Sequence, residues 1–190
     1  MMKLFILDNL SAFSSDTVFK ICLSLEEKGL QEENVERFSS YDDLFEAAAV
    51  ALEDGEHIIV AAENGDFIAV KNALIPYFSL QGTQNSDIAE AIAKNNSDLS
   101  AIDMEGHSLS PIGAISLLSG DGLYSGFSTL VSGGRLTCLP LDFTRVDNMI
   151  STLVEHIISR EESLAEMGVE GEIQMPDMDL IPAVTDMVRV

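Results

Sequence analysis

Two β-rich runs, residues 127–131 and 136–139, flank Ser132-Gly133-Gly134-Arg135, and the second leads through Leu139-Pro140-Leu141-Asp142 into a helical pattern. Gly-Gly between such runs predicts a tight hairpin, because both central residues of the turn can need positive φ. A hairpin that empties into a helix late in the chain restricts the fold more than any other feature here. Upstream, strand and helix patterns alternate. Residues 3–7 read as a buried strand with Asp8-Asn9 as its exit. Ser14-Ser15-Asp16 caps a helix to about residue 28, with Val18, Ile21, Cys22 and Leu25 at helical spacing and Gly29 at its end. Residues 34–38 form a second strand, and Ser40-Tyr41-Asp42-Asp43 opens a second helix that Gly55 closes. Residues 57–62, His-Ile-Ile-Val-Ala-Ala, are apolar enough to be buried on both faces.

Glu63-Asn64-Gly65-Asp66 reads as a turn before a third helix at residues 67–78, and residues 88–94 as a helix begun by Ser86-Asp87. Residues 95–109 are polar and turn-rich, the segment expected to be a mobile loop. A strand at 112–118, a turn at Ser119-Gly120-Asp121-Gly122 and a last helix at 142–159 complete the reading. This order implies parallel strands joined by right-handed crossovers. The expected class is α/β, a mixed, mostly parallel sheet flanked by helices with a late antiparallel hairpin. Residues 1–160 form the expected domain. Residues 161–190 are an acidic and apolar C-terminal extension, broken by Pro176 and Pro182, that should dock on the core or across a symmetric dimer interface.

Charge excludes some partners. Ten Lys plus Arg stand against 32 Asp plus Glu, a net charge of −22. Affinity for phosphate backbones comes mainly from Lys and Arg, so nucleic acid is not an expected partner, and an anionic membrane surface is disfavoured for the same reason. No apolar run reaches the roughly 18 residues that cross a bilayer. The N-terminal Met1-Met2-Lys3-Leu4-Phe5-Ile6-Leu7-Asp8 is too short for a signal peptide, which points to the cytoplasm. Cys22 and Cys138 lie in separate apolar runs with no metal-ligand spacing and read as reduced, buried thiols.

Several segments together resemble the molybdopterin-binding fold family, which includes molybdenum-cofactor biosynthesis proteins and the N-terminal domain of competence/damage-inducible proteins. The segments are Asp16-Thr17 opening a helix, the acidic second helix, the strand at 58–62, Asp121-Gly122-Leu123-Tyr124-Ser125-Gly126-Phe127 leading into the hairpin, and Leu139-Pro140 at its end. The correspondence covers about residues 3–158. The family's Gly-Gly-x-Gly loop after the third strand is replaced here by Ala62-Glu63-Asn64-Gly65-Asp66. Its Leu-Pro-Gly-x-Pro loop is replaced by Leu139-Pro140-Leu141-Asp142-Phe143.

In an open α/β sheet, ligands bind beyond the carboxyl ends of the strands. That places Asn64, Gly65, Asp66, Asp121 and Gly122 as candidate ligand-binding residues, and Asp8, Glu63, Asp66 and Asp142 as candidate oxygen ligands for Mg²⁺. The bland alternative is that these Asp, Asn and Gly residues are turn formers and helix caps. His107, near Glu105, is the one plausible acid/base histidine, but no residue is assigned a catalytic role. Lys71 lies a turn or more into the third helix and Arg145 a turn into the last, so the strand-end carboxylates are expected to be largely uncompensated and to repel phosphate. Two function classes follow. One is a non-catalytic ligand-sensing or assembly module, homo-oligomeric, with a small phosphorylated ligand as its partner and no required cofactor. The other is a Mg²⁺-dependent hydrolase or transferase acting on a nucleotide or pterin phosphate, in line with the pyrophosphatase activity attributed to competence/damage-inducible proteins.

Overall fold

A computed structural model describes residues 2–7, 14–30, 34–96 and 98–170. The elements follow in the order β1 (Met2–Leu7), α1 (Ser14–Glu27), β2 (Asn34–Phe38), α2 (Tyr41–Glu53), β3 (His57–Ala62) and α3 (Asn64–Tyr77). Next come β4 (Gly82–Gln84), α4 (Ser86–Asn95), α5 (Ala101–Ser108), β5 (Leu109–Pro111), β6 (Ile115–Leu118), β7 (Ser125–Val131), β8 (Gly134–Pro140) and α6 (Phe143–Glu170). Six strands form one sheet in the order β2-β1-β3-β8-β7-β6, and β4 pairs with β5 in a separate ribbon. β2, β1, β3 and β8 run parallel, while β7 is antiparallel to both β8 and β6. The mixed α/β sheet with its late hairpin is therefore the observed architecture. Two compact units divide the chain, Met1–Ile157 and Ile158–Val190. The described strands all lie in the first. Among the described residues no helix is long and apolar enough to cross a membrane.

Period-2 alternation explains how the sheet is buried on both sides. Phe5, Ile58, Val60, Leu136 and Cys138 face α2 and α3 in one core. Leu4, Ile6, Ile59, Ala61 and Leu139 face α1 and α6 in the other. Leu4 and Ile6 are fully buried, as a central strand requires. Each large side chain removed from water this way contributes about 1.5–3 kcal/mol. The hairpin turns at Ser132-Gly133, whose φ values are +51° and +94°. Its strands begin at Ser125 and Gly134, two residues earlier than expected on each side. Gly126 is required by a close approach, because a Cβ there would overlap the Cys138 carbonyl oxygen of the facing strand.

Beyond the hairpin bounds and the β4–β5 ribbon, the structure differs from the sequence reading in three further loops and turns. The expected mobile loop at 95–109 contains α5, whose N-terminus is capped by Ser100: its Oγ accepts from Asp103 N at 3.2 Å and donates to Asp103 Oδ2 at 2.6 Å. Gly106 obscured this helix, since glycine is a poor helix former. A Cβ there would sit 3.2 Å from Asn72 Nδ2 on α3, close enough that the amide would have to give way by a few tenths of an ångström. Second, Glu63-Asn64-Gly65-Asp66 is the cap and first turn of α3, with the Glu63 carbonyl accepting from Asp66 N and Phe67 N. Third, the strand expected at 112–118 starts only at Ile115, after a turn at Ile112-Gly113. The last helix continues to Glu170, and residues 171–190 of the expected docking tail lie outside the described residues.

A polar spine crosses the second core between three strands. His57 Nε2 lies 3.0 Å from Thr137 Oγ1, Thr137 Oγ1 donates to Ser128 Oγ at 2.9 Å, and Arg135 Nη1 donates to Ser128 Oγ at 3.1 Å. Burial, aided by the Arg135 charge, pushes the His57 imidazole down to about 4. The unfolded chain, with an ordinary histidine near 6.5, binds the extra proton between those values. Stability is therefore lost as pH falls from about 6.5 to about 4, by on the order of 3 kcal/mol. Urea unfolding of wild type and His57→Asn across pH 4–7 should show a shallower fall for the variant. Gly126→Ala should cost about 2–3 kcal/mol, since backbone would have to shift to admit the methyl. An unchanged urea midpoint for that variant would contradict the close approach.

Candidate functional site

The parallel strands end along one edge of the sheet. Ala62 of β3 stands opposite Pro140 of β8, and Leu141 N extends the pairing by donating to Ala62 O at 2.6 Å. Each strand then turns at once into a helix. α3 packs in the first core and α6 in the second, so two helix N-termini from opposite faces meet at the edge. Asn64, the first residue of α3, donates from Nδ2 to Asp142 Oδ2 at 3.0 Å. Asp142 caps α6, its Oδ1 accepting from Thr144 N at 3.1 Å and Thr144 Oγ1 at 2.7 Å.

Arg145 joins this cap to the turn between β6 and β7. Its Nη1 lies 3.2 Å from Asp142 Oδ2, and its Nε donates to Asp121 Oδ2 at 2.7 Å. Asp121 Oδ1 accepts from Ser119 Oγ at 2.6 Å and Leu123 N at 3.1 Å, which holds its own turn closed. Burial alone would raise both aspartates. It is outweighed at Asp142 by hydrogen bonds from Thr144 and Asn64 and by the Arg145 charge, and at Asp121 by Ser119, Arg145 and Leu123. Both carboxyls are held below the ordinary aspartate range. The expectation of uncompensated carboxylates is therefore corrected at Asp142, which shares the single positive charge of Arg145 with Asp121.

Aromatic rings continue the site inward. The Arg145 guanidinium carbon stands 4.6 Å from the centre of the Tyr124 ring, in cation–π range. Tyr124 also packs against Phe67, with ring centres 5.9 Å apart, and against His107 at 5.5 Å. His107 closes the last turn of α5, makes a backbone hydrogen bond with Leu123, and is pushed below the usual histidine range by burial and then by Lys71. Its Nδ1 is buried without a hydrogen-bond partner, as is Asn64 Oδ1.

Lys71 is the residue the sequence reading undervalued. It is 0% exposed, and its Nζ donates to His107 O at 2.7 Å and Ser125 O at 3.2 Å. Burial pushes its ammonium down to about 8. The signal was present: Phe67, Val70, Lys71, Leu74 and Ile75 follow the i, i+3, i+4 rhythm of a buried stripe, with Lys71 in its middle. The amine satisfies a carbonyl at the C-terminal end of α5, where a positive charge is favoured.

The other candidates are distributed as follows. Glu63 is the N-cap residue of α3, and Asp66 lies in its first turn, near enough to Tyr41 at the start of α2 to help raise that phenol, whose main cause is burial. Gly65 is exposed, with open space where a side chain would begin. Gly122 has φ +69°, and a Cβ there would overlap Asn95 Nδ2. Asp8 lies outside the described residues. Among the described residues, no three His, Cys, Asp or Glu side chains come together in a group that could hold a metal ion.

No family model matches this chain, and no curated protein matches it by sequence. Solved structures do resemble it. One is the protein CinA, of unknown function, from Thermoplasma acidophilum, with 16% identity, coverage of 84% of this chain and 96% of that one, and a TM-score of 0.59. Another is a molybdopterin biosynthesis protein from Mycobacterium abscessus, with 17% identity, coverage of 88% and 96%, and a TM-score of 0.52. Likeness at this identity shows the fold, and it is the fold expected from the sequence resemblance.

The clamp has a measurable signature. Asp142→Asn keeps the cap but removes the charge facing Arg145, and should cost about 1 kcal/mol at neutral pH. The folded Asp142 carboxyl sits below its unfolded value, so its contribution is present above about 3.9 and is lost as pH falls through the lower folded value. Chemical denaturation should therefore show the two proteins converging as pH falls through the lowered folded value of Asp142. In a double-mutant cycle with Arg145→Gln the two changes should couple, and simple additivity would mean that the pair contributes nothing.

Proposed function

We propose that this protein is a non-catalytic ligand-sensing or assembly module built on a molybdopterin-binding-like fold. One observation carries the reading: at the strand-end edge, Arg145 is held between Asp121 and Asp142, so charged groups that could act on a phosphorylated substrate are engaged with one another. A catalytic site keeps such groups preorganised toward the reacting atoms. The start of α3 supports the same reading. Where the resemblance would place a glycine-rich backbone cradle, Glu63 and Asn64 pass directly into helix. Without bare glycine backbone, a phosphate loses the close approach that such loops provide.

The proposed ligand is a small phosphorylated molecule, read by Asn64 and Arg145 and by the helix N-termini around them. Assembly would use a second copy of the chain. Phe19 and Leu23, one helical turn apart on α1, are 66% and 43% exposed and offer an apolar strip for it.

The test is calorimetry and thermal denaturation of the full chain with AMP and a pterin phosphate, with and without millimolar Mg²⁺, alongside an assay for released phosphate. The reading expects ligand-dependent stabilisation that Asn64→Ala weakens, no turnover, and no added effect of Mg²⁺. Mg²⁺-dependent hydrolysis of either compound would replace this reading with the Mg²⁺-dependent hydrolase. Sedimentation of Phe19→Ser/Leu23→Ser should show a smaller particle than wild type, and an unchanged mass would remove the assembly half of the proposal.

A further inference from the structure

We propose that Asp121 acts as an internal anion, occupying the Arg145 guanidinium in the free protein and giving way to the phosphoryl group of an incoming ligand. This rests on the reading of the strand-end edge as a ligand site and describes its regulation. Arg145 stands in the first turn of α6, a turn without acidic residues. The positive end of the helix dipole disfavours a cation there, so the guanidinium needs negative partners from outside the turn. Asp142 supplies one as the cap. Asp121 supplies the other from 24 residues away.

The two oxygens of Asp121 do separate work. Oδ1 is bonded to Ser119 and Leu123 within its own turn, whereas Oδ2 faces Arg145. Exchange of Oδ2 for a phosphoryl oxygen would therefore leave the bonds that shape the turn in place. Tyr124, whose ring centre lies 4.6 Å from the guanidinium carbon, stays in contact with that group during such an exchange. A second observation points to a ligand independently of these bonds. Asn64 Oδ1, beside Asp142, is a buried acceptor without a partner, and His107 Nδ1, beside Tyr124, is a buried ring nitrogen without one. A polar ligand carrying N–H or O–H groups as well as a phosphoryl group would satisfy the acceptor that Asn64 leaves open.

The experiment is isothermal titration of the full chain with inorganic pyrophosphate at low ionic strength, where charge pairing is least screened. Wild type should bind weakly. Asp121→Asn, which removes the charge but keeps the shape, should bind about tenfold more tightly, the scale of one charged hydrogen bond. Asp121→Ser should show the same gain, so that a local disturbance of the turn by one variant cannot mimic or hide it. Adding Arg145→Gln should abolish the gain. Equal affinity in wild type and both Asp121 variants, or a gain that survives Arg145→Gln, overturns the proposal. AMP titrated into the same proteins separates the two readings. A pyrophosphate gain without AMP binding supports the latch while the nucleotide reading fails. Equal AMP binding by wild type and the Asp121 variants keeps the ligand site and overturns the latch.

Discussion

The parallel pairing of β3 with β8 is the constraint on which the rest of the site depends. It runs from His57–Arg135 to Ala62–Pro140 and is extended by the Leu141 bond to Ala62. Both strands are buried on both faces and turn directly into helices. A shift in register by one residue would exchange the two cores and separate Asn64 from Asp142. Because the ladder is backbone-bonded and its side chains are among the most buried in the chain, that edge is rigid before any polar contact forms. The run of side chains from Asn64 through Asp142 and Arg145 to Asp121 is laid across this fixed base.

Positive charge is scarce in this protein, and the structure uses it internally. Ten Lys and Arg residues face 32 acidic ones, yet Lys71 and Arg145 are neither free surface charges nor balanced in the same way. Arg145 is paired with two carboxylates and stacked on a ring. Lys71 has no carboxylate among its bonded partners and satisfies two backbone carbonyls instead, one ending α5 and one beginning β7. A buried ammonium without a counter-ion is costly, and its lowered proton affinity is the direct consequence. Lys71 thus ties the ribbon-and-helix segment to the main sheet from within, a few residues from the turn that carries Asp121 and Tyr124.

The fold and the site carry different amounts of functional information. Solved structures at 16% and 17% identity share the architecture, and one fold can host unrelated activities. The candidate site lies at the strand ends, where α3 begins without a glycine-rich approach and where Asp121 reaches Arg145. These are a few residues on a common frame. They bear on function more strongly than the frame does.

The sequence by itself determined the alternation of the main-sheet strands with their helices, the late hairpin, though its turn falls at Ser132-Gly133 rather than Gly133-Gly134, the strand buried on both faces at His57–Ala62 and the edge at which acidic residues collect. Each of these follows from local periodicity or turn chemistry, which neighbouring residues encode. It failed at α5, where Gly106 weakened a helical pattern that Ser100 and Asp103 nevertheless start. The same local signals left Lys71 and Arg145 looking like remote charges. Only the tertiary structure decided that Arg145 meets Asp121 across 24 residues and that Lys71 is sealed in the core. The physical reason is that ion pairs and buried donors depend on which helix faces which strand end, and that is set by sheet register and crossover handedness rather than by the residues next in sequence.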